Sequence, residues 1–325
     1  MIERLSIDRF KSVRSVSILC RKVNLFIGAP DTGKTNILEA LQFLSHLGWG
    51  LPLDESLRLD QALGFEPLFY RQFFDRPFRI GMLIGSGELA VEARPAGGSR
   101  ALRIVSGGAH DVQFGSALRA FVDIVRFYSY ATSRHWAYTS DTLRGTELVM
   151  PPSGANLLYI ARHHSRVYEF LKETVGPLGW KLRFDQNPGT FRLSDVRGEE
   201  IVDYNLDLLS DSLKRLFFYG AILLTSKEAV LVFDEPDVMA FPPYPKILGE
   251  MIAADTDNQF FLTTHNPYFL SALVEKTPAE KLALFVCHRD PEGATEVRQL
   301  GPDEIQRVIE HGASVFFNLD EFLGS

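Results

Sequence analysis

Eight consecutive residues, Gly28 to Thr35, have the types and spacing of a phosphate-binding loop. They read Gly-Ala-Pro-Asp-Thr-Gly-Lys-Thr, which fits the pattern GxxxxGK[ST]. Glycines let backbone N–H groups turn inward onto phosphate oxygens, and a following helix adds its positive N-terminus. Lys34 can reach the terminal phosphates of a nucleotide, and the hydroxyl of Thr35 can bind Mg²⁺. The predicted nucleotide-binding residues are Gly28, Ala29, Pro30, Asp31, Thr32, Gly33, Lys34, Thr35 and Asn36.

Apolar segments on both sides of this loop predict a strand before it and a helix after it. Residues 23–27 read Val-Asn-Leu-Phe-Ile, which favours a short buried strand. Downstream, leucine and isoleucine recur at steps of three and four residues, as they do on one face of a helix. These positions are Ile37, Leu38, Leu41, Leu44 and Leu47. A strand, a loop and a helix in this order are the context in which the motif binds phosphate.

A second chemical segment, Asp234-Glu235-Pro236, follows the apolar run 229–233. Such a run is typical of a strand buried on both faces of a parallel sheet, and carboxylates at its C-terminal end face a ligand crevice. We predict that Asp234 helps to hold Mg²⁺ and that Glu235 polarises the water that attacks the γ-phosphate. An acidic pair after a strand can also be a solvated strand end, but its combination with the phosphate loop favours the catalytic role.

A third apolar run, residues 260–264, predicts a strand that delivers His265 to the same edge. Asn266-Pro267 follows, and the proline stops further strand pairing. A neutral imidazole at this position can hydrogen-bond to the γ-phosphate or to the attacking water. A lone histidine is often structural, and only its position after a third core strand favours a catalytic role for His265.

Together, these three segments resemble the ATP-binding-cassette branch of the P-loop ATPases. More narrowly, the chain resembles the SMC/RecF-like and OLD-like AAA-type ATPases. Residues 2–12 are similar to their first strand and its Phe-Lys-Ser turn, and residues 150–157 are similar to the segment that enters their helical lobe. The resemblance implies that ATP and Mg²⁺ are the cofactors and that Lys11 and Ser12 approach the adenine and ribose of ATP.

The resemblance also implies a signature helix, which such ATPases offer across a dimer to the γ-phosphate bound by the partner. The corresponding segment is 209–215, and Ser210 is a good N-cap for a helix whose free N–H groups suit an anion. An ordinary cap of a core helix would look the same. Ser212 stands where the family usually has glycine, and Pro30-Asp31 stands where the cassette family usually has Asn-Gly. We expect a homodimer formed through ATP, in which Ser210 completes the neighbouring subunit's site.

Composition sets limits on class and location. The 325 residues are 46% hydrophobic and carry a net charge of −7, so the whole molecule has no electrostatic attraction to nucleic acid or to an anionic membrane. Cys20 and Cys287 lie far apart in apolar surroundings, which favours reduced core thiols. The N-terminus is charged and no run of 18 apolar residues occurs, so we expect neither a secretory signal nor a membrane span. The expected location is the cytoplasm.

The predicted fold class is α/β, a P-loop NTPase of the ABC-ATPase type with a mixed sheet flanked by helices. Length alone suggests about two domains, and one elaborated domain is also possible. Further predicted elements are a strand over 282–286 and a short helix over 303–311. The predicted segments are residues 1–50, the N-terminal portion of the nucleotide-binding core with the phosphate loop; 51–130, a β-rich lobe; 131–204, a small helical lobe; and 205–325, the C-terminal portion of the core.

Basic and aromatic residues are mixed between Arg126 and Arg166. Such a mixture can hold backbone phosphates and stack on bases, so this region is the candidate nucleic-acid interface. It can equally be a solvated helix face beside core aromatics, or a surface for a partner protein. The basic residues are Arg126, Arg134, Arg144, Arg162, Arg166, His135, His163 and His164, and the aromatic residues are Tyr128, Tyr130, Trp136, Tyr138 and Tyr159.

The function expected from the sequence is an SMC/OLD-like ATPase that binds and hydrolyses ATP and closes a dimer in its ATP-bound state. By resemblance, it would control an effector such as a nuclease or toxin in DNA maintenance, DNA repair or phage defence. We expect no long coiled coil and no fused Toprim nuclease domain, so the effector would be a separate protein. Two alternatives stay open: a scaffold that binds ATP and a partner with negligible turnover, and a RecF-like ATPase that acts directly on DNA ends.

Overall fold

A computed structural model of the chain describes residues 1–53, 57, 59, 64–85, 87–96, 102–107, 124–131, 147–185, 190–197 and 200–323. The strands in these residues are β1 (Arg4–Phe10), β2 (Val13–Leu19), β3 (Val23–Ile27), β4 (Phe78–Ile84), β5 (Gly87–Pro95), β6 (Leu102–Gly107), β7 (Val125–Tyr128), β8 (Trp180–Asp185), β9 (Thr190–Arg197), β10 (Glu200–Asn205), β11 (Val230–Phe233), β12 (Gln259–Thr263), β13 (Leu282–Arg289) and β14 (Thr295–Gln299). The α-helices are α1 (Lys34–Trp49), α2 (Leu157–His163), α3 (Ser165–Val175), α4 (Asp211–Thr225), α5 (Pro243–Ala254), α6 (Pro267–Lys276) and α7 (Pro302–His311). Short 3₁₀ helices span Glu66–Leu68, Tyr70–Gln72, Gly176–Leu178, Leu206–Leu208, Ala279–Lys281, Gly312–Phe317 and Leu319–Phe322.

The central element is a six-stranded sheet in the order β14-β13-β3-β12-β11-β7. The five strands from β13 to β7 are parallel, and β14 pairs with β13 in the antiparallel sense. Strands β3, β11 and β12 are buried at every residue, as expected for strands covered on both faces. They correspond to the three apolar runs that the sequence predicted as core strands. The carboxyl ends of parallel strands share one edge of a sheet, so the segments that follow these three strands come together there.

Side chains of the six-stranded sheet alternate between two separate hydrophobic cores. Leu25 and Leu231 enter a core built with helices α2 to α6. Phe26 and Val232 point the other way, into a core built with α1 and the N-terminal strands. The two-residue repeat of a strand places successive side chains on opposite faces, which is why these runs are apolar without a break.

The N-terminal strands belong to an antiparallel sheet in the order β2-β1-β4-β5-β6. The lobe predicted at 51–130 is therefore not separate from the predicted N-terminal segment at 1–50, because β4 pairs with β1 in the register Leu5 to Met82. Strand β7 departs further from that prediction, since it pairs with β11 in the six-stranded sheet. The pairing of β4 with β1 reflects burial: Leu5 and Ile7 of β1 are fully buried, and a buried strand needs a neighbouring strand on both sides.

The segment predicted as a helical lobe, 131–204, contains both helices and strands where it is described. Helices α2 and α3 lie where apolar spacing predicted them, but β8, β9 and β10 follow as an antiparallel sheet that the prediction omitted. The prediction rests on the apolar positions of 155–175 and leaves out the alternation in β9, where Phe191 and Leu193 are fully buried.

The C-terminal elements agree closely with the sequence. Strand β13 contains the predicted run 282–286 and continues to Arg289, and α7 begins at Pro302, one residue before its predicted start. Among the described residues, no helix has the length and apolar character needed to cross a membrane. Cys20 and Cys287 are both free, and burial raises the pKa of each thiol to about 12.

Four phenylalanines join α1 to the N-terminal sheet. The ring of Phe78 on β4 packs edge to face against Phe10 on β1, Phe43 on α1 and Phe69, with centroid distances of 5.1, 5.2 and 5.1 Å. All four side chains are buried. Since α1 begins at the phosphate loop, this cluster holds the helix against the sheet and thereby positions the loop.

We expect Phe78→Ala to lower the free energy of unfolding by about 3–5 kcal/mol, because it leaves a cavity among three packed rings. Denaturant titration followed by circular dichroism measures the loss. The matched control is Phe73→Ala, at a side chain that is 52% exposed, where we expect a change of about 0.5 kcal/mol or less. Equal losses in the two variants would contradict the packing argument.

Candidate functional site

A cleft of about 770 Å³ lies at the edge of the six-stranded sheet where β3, β7, β11 and β12 end. The residues predicted from the sequence divide into two groups. Those that line the cleft are Lys11, Pro30, Asp31, Gly33, Lys34, Thr35, Asn36, Asp234, Glu235 and His265. Those that lie outside its lining are Gly28, Ala29, Thr32, Ser12 and Ser210. The three distant predicted segments therefore converge on one cavity.

Two glycines of the phosphate loop have no room for a side chain. Gly28 has φ 152°, and a Cβ built on it lies 2.4 Å from the carbonyl oxygen of Cys287. Gly33 has φ 91°, and its Cβ would lie 1.9 Å from Thr295 Oγ1 and 2.7 Å from Ser12 Oγ. Both the backbone conformation and the packing require glycine at these positions. Residues of β13, β14 and the turn after β1 therefore pack against the two glycines and limit the conformation of the loop.

Lys34 lies inside the curve of the loop. Its side chain is buried, and Nζ donates hydrogen bonds to the carbonyl oxygens of Gly28 at 3.0 Å and Ala29 at 2.8 Å. Burial lowers the pKa of Lys34, and the negative charges of Glu235 and Asp234 oppose this shift. The ammonium group and the carboxylates at the end of β11 line the same cleft.

Asp234 joins the phosphate loop to the neighbouring strands. Its Oδ1 accepts hydrogen bonds from Thr35 Oγ1 at 3.2 Å and from Thr263 Oγ1 at 2.6 Å. Thr263 is the last residue of β12, the strand that lies between β3 and β11. Its hydroxyl also accepts a hydrogen bond from the backbone N–H of Glu235 at 2.9 Å. The hydroxyl and carboxylate oxygens of Thr35 and Asp234 are of the kind that Mg²⁺ prefers.

Glu235 and His265 face each other across the ends of β11 and β12. Glu235 Oε1 lies 3.5 Å from His265 Nε2, and both side chains are partly exposed to the cleft. Burial lowers the pKa of His265, and the charge of Lys34 lowers it further, so the imidazole is neutral at pH 7. Glu235 has φ 46°, a left-handed conformation that costs about 1–3 kcal/mol in a residue with a side chain. Such strain is concentrated at functional sites.

Lys11 and Ser12, which the resemblance places near adenine and ribose, have different surroundings. Lys11 lines the cleft, where its Nζ forms an ion pair with Glu39 at 2.7 Å and donates to the carbonyl of Leu57. Ser12 is turned behind the loop, because its Oγ lies 2.6 Å from Thr295 Oγ1 and accepts a hydrogen bond from Asn36 Nδ2 at 2.6 Å. These bonds tie the Ser12 hydroxyl to β14 and α1, and its approach to a nucleotide stays a prediction.

Ser210 caps helix α4. Its hydroxyl accepts a hydrogen bond from Leu213 N at 3.4 Å. Ser212, at the position where the family usually has glycine, accepts a hydrogen bond from Phe241 N at 3.0 Å and donates to the carbonyl of Met239 at 3.4 Å. The start of α4 is therefore tied to the loop that follows Glu235. The role of Ser210 toward a neighbouring subunit stays a prediction.

Two arginines in the cleft were not predicted from the sequence. Arg289, at the end of β13, donates from Nε to the carbonyl of Asp31 at 2.7 Å and so supports the phosphate loop. Arg215 on α4 is 8% exposed, and its guanidinium lies 4.6 Å from the ring centre of Tyr130. Arg215 is within the predicted signature segment, but helical periodicity alone does not show that it turns toward the cleft.

Asp237 and Thr264 were also missed. Asp237 is 3% exposed and accepts a hydrogen bond from Thr264 Oγ1 at 2.8 Å. Burial raises the pKa of Asp237 to about 7, and the negative charge of Glu235 adds to this shift. The hydrogen bond from Thr264 and the positive charge of Arg215 oppose it. An acidic residue three positions after Asp234 is a weak sequence signal, because its burial depends on packing against β12.

The mixed basic and aromatic segment does not present one continuous surface where it is described. Arg134 and Arg144 lie outside the described residues, as do His135, Trp136 and Tyr138. Arg126 has buried guanidinium nitrogens and lies 6.0 Å from the ring centre of Trp49. Tyr128 is a core residue whose hydroxyl donates to the carbonyl of Val149. Arg162 and Arg166 are exposed, and Arg162 packs 4.0 Å over the ring of Phe184.

Residues 178–271 match the model of an AAA domain family described as a putative AbiEii toxin of a type IV toxin–antitoxin system. No curated protein sequence matches the chain. The structure is similar to an SMC head bound to the C-terminal winged-helix domain of ScpA, with a TM-score of 0.64 and 16% identity over 93% of this chain and 99% of that one. It is also similar to the SMC head domain from Thermotoga maritima, with a TM-score of 0.50 and 16% identity over 92% of this chain and 99% of that one. The chain has the ABC/SMC-like P-loop ATPase fold. The fold class predicted from the sequence is thereby confirmed.

We expect Gly33→Ala to destabilise the protein more than Gly293→Ala does. Both glycines have a positive φ, 91° and 83°, so alanine costs about 1–2 kcal/mol of backbone strain at either site. Only Gly33 has neighbours in the way, because a Cβ at Gly293 meets nothing within 4 Å. Overpacking against Thr295 and Ser12 adds about 1–3 kcal/mol. Thermal unfolding of both variants measures the difference, and equal melting temperatures would contradict the steric argument.

We expect Asp237→Asn to change how stability depends on pH. The native carboxyl binds its proton up to about pH 7, whereas in the unfolded chain its pKa is near 3.8. The native state therefore binds more protons between these values, and the free energy of unfolding of the wild type falls, relative to the variant, as pH rises from about 4 to about 7. Urea titrations across this range measure the difference. A constant offset between the wild type and Asp237→Asn across this range would refute the assignment.

Proposed function

We propose that the protein binds ATP with Mg²⁺ and hydrolyses it in the cleft at the edge of the six-stranded sheet. The observation that carries this proposal is the convergence of Lys34, Thr35, Asp234, Glu235 and His265 on that cleft. The ATPase fold supports it, since the same edge of the sheet is where ligands bind in α/β folds.

The residues present fit MgATP. Thr35 Oγ1 and Asp234 Oδ1 lie 3.2 Å apart and supply oxygen ligands for the metal. Helix α1 begins at Lys34 directly after Gly33 and has no side-chain cap, and the backbone N–H groups at such a helix start suit phosphate oxygens. Lys34 supplies the positive charge beside them. Mg²⁺, when bound, neutralises charge that develops on the phosphates.

Glu235 is the proposed general base. Its carboxylate takes the proton of the attacking water, and a positioned base of this kind contributes about 10²–10⁴-fold to the rate. Its backbone N–H donates to Thr263, which fixes the point on the chain from which the side chain extends into the cleft. His265 is neutral and lies 3.5 Å away, where it can orient the same water through a hydrogen bond.

A dimer closed by ATP accounts for the position of Ser210. This residue caps α4 but does not line the cleft of its own chain. If it contributes to hydrolysis, it does so at the cleft of a second protomer. Such closure and reopening is the movement that a separate effector would sense.

The effector is proposed to be a second protein, a nuclease or a toxin, that acts in DNA maintenance or phage defence. Two similarities support a protein partner. The matched family is described as a putative toxin of a toxin–antitoxin system, and the similar SMC head is bound to a winged-helix domain of another protein.

A scaffold that binds ATP without turnover is the second candidate. The observation in its favour is Ser212, whose hydroxyl is engaged by Met239 and Phe241 and which therefore holds the start of α4 in place. Both candidates predict ATP binding, and only the first predicts phosphate release.

We expect Glu235→Gln to lower steady-state phosphate release by about 100-fold or more while ATP binding stays within about threefold of the wild type. The amide has nearly the same shape but cannot accept the proton. Phosphate release and binding of a fluorescent ATP analogue measure the two quantities, and the ATP-bound variant should sediment as a dimer.

The matched control is Glu228→Gln, because Glu228 is another glutamate with a positive φ, 51°, but it lies on the surface before β11. This control should leave turnover and binding unchanged. Normal turnover in Glu235→Gln would exclude Glu235 as the base, and a wild type that binds ATP without releasing phosphate would favour the scaffold.

A further inference from the structure

Two consecutive threonines at the end of β12 make different connections. Thr263 and Thr264 are both fully buried. The hydroxyl of Thr263 is bonded to Asp234 and to the N–H of Glu235, as described above. The hydroxyl of Thr264 is bonded to a different pair, Asp237 and Asn266. Thr263 therefore links β12 to Asp234 and Glu235 at the end of β11. Thr264 links β12 to Asp237, further along the same loop, and to the turn at Asn266.

The hydrogen bonds of Thr264 connect the backbone on both sides of His265 to other elements. Thr264 Oγ1 accepts a hydrogen bond from the N–H of Asn266 at 2.9 Å and donates to Asp237 Oδ2 at 2.8 Å. Asn266 in turn caps α6, where its side chain accepts from the N–H groups of Tyr268 and Phe269. The backbone on both sides of His265 is thus attached to the Asp237 carboxylate and to the start of a helix.

Asp237 lies two residues after Glu235 on the loop that leaves β11. The N–H of Val238 donates to the carbonyl of Glu235 at 3.2 Å, which closes a turn between them. The carboxylate of Asp237 therefore joins the turn that carries Glu235 to the turn that carries His265. Asp237 does not line the main cleft; it lines a smaller cavity of about 310 Å³, which Glu235 and His265 also line.

Burial of the Asp237 carboxyl group costs free energy of folding, unlike burial of an apolar side chain that packs in the core. The second oxygen, Oδ1, is buried and has no hydrogen-bond partner among the described portions of the chain. A carboxyl group that is removed from water and has one oxygen without a partner is destabilising compared with an apolar side chain of similar size. Its retention at this position is explained if the bond to Thr264 is needed for geometry rather than for stability.

We propose that Asp237 and Thr264 are a pair of positioning residues that holds Glu235 and His265 at their working separation. The inference rests on the ATPase function proposed above. Neither residue lines the cleft, and the side-chain hydrogen bonds described above connect them to each other and to Asn266. Without the pair, the two turns can shift independently, and a misplacement of about 1 Å of a reacting group can cost about 10²-fold in rate. Lys34 and Thr35 keep their surroundings, so nucleotide binding is unaffected.

The test compares Thr264→Val, which removes the hydroxyl with little change in shape, with Thr264→Ser, which keeps it. For Thr264→Val we expect kcat to fall about tenfold or more while the KM and Kd for ATP stay within about twofold. Thr264→Ser should retain kcat within about threefold. The matched control is Thr277→Val at another buried threonine, whose hydroxyl has no partner among the described residues, and it should keep the kcat of the wild type.

Thr264→Val leaves Asp237 buried with no side-chain donor, so this variant can fail to fold. The double variant Asp237→Leu/Thr264→Val avoids this problem, because both polar partners become apolar. We expect it to unfold at or above the wild-type temperature and still to show the low kcat of a misplaced site. Asp237→Asn, which keeps an acceptor oxygen for Thr264, should turn over within about threefold of the wild type.

The outcomes are distinguishable. If the wild type releases no phosphate, the proposed ATPase function fails, and with it this inference. If the wild type turns over and the folded double variant has the same kcat, the positioning role is refuted while the ATPase function stands. A loss of kcat with parallel loss of ATP affinity, not restored by serine, would also refute it, since that pattern indicates general damage to the site.

Discussion

The site depends on one oxygen atom, Oδ1 of Asp234, and on the two hydroxyl groups that donate to it. Thr35 comes from the phosphate loop and Thr263 from the strand between that loop and Asp234. These bonds connect the segments at the carboxyl ends of β3, β12 and β11 along one edge of the sheet. Thr263 also accepts a hydrogen bond from the backbone N–H of Glu235, so the same hydroxyl contacts both acidic residues at the end of β11.

The strands can serve this purpose because their side chains are anchored on both faces. Leu231 and Phe233 are packed in one core and Val230 and Val232 in the other, so β11 cannot rotate or slide without disturbing both. The polar groups at the strand end therefore have a position that close packing fixes.

The sequence predicts this site better than it predicts the surrounding architecture, and the reason is the range of the interactions. Gly33, Lys34 and Thr35 form a motif in one short segment, and the apolar runs before Asp234 and His265 identify strands with local information alone. Pairing between distant segments is not local, so the union of β4 with β1 and the sheet of β8 to β10 were missed. Asp237 and Thr264 were missed for the same reason, because each becomes informative only when β11 and β12 are side by side.

The hairpin of β13 and β14 contacts the phosphate loop at two points. Arg289 donates to the carbonyl of Asp31, and Thr295 closes the space behind Gly33 together with Ser12. The conformation of the phosphate loop thus depends on residues that lie far from it along the chain. Substitutions in this hairpin are therefore expected to alter the loop even where the loop's own sequence is unchanged.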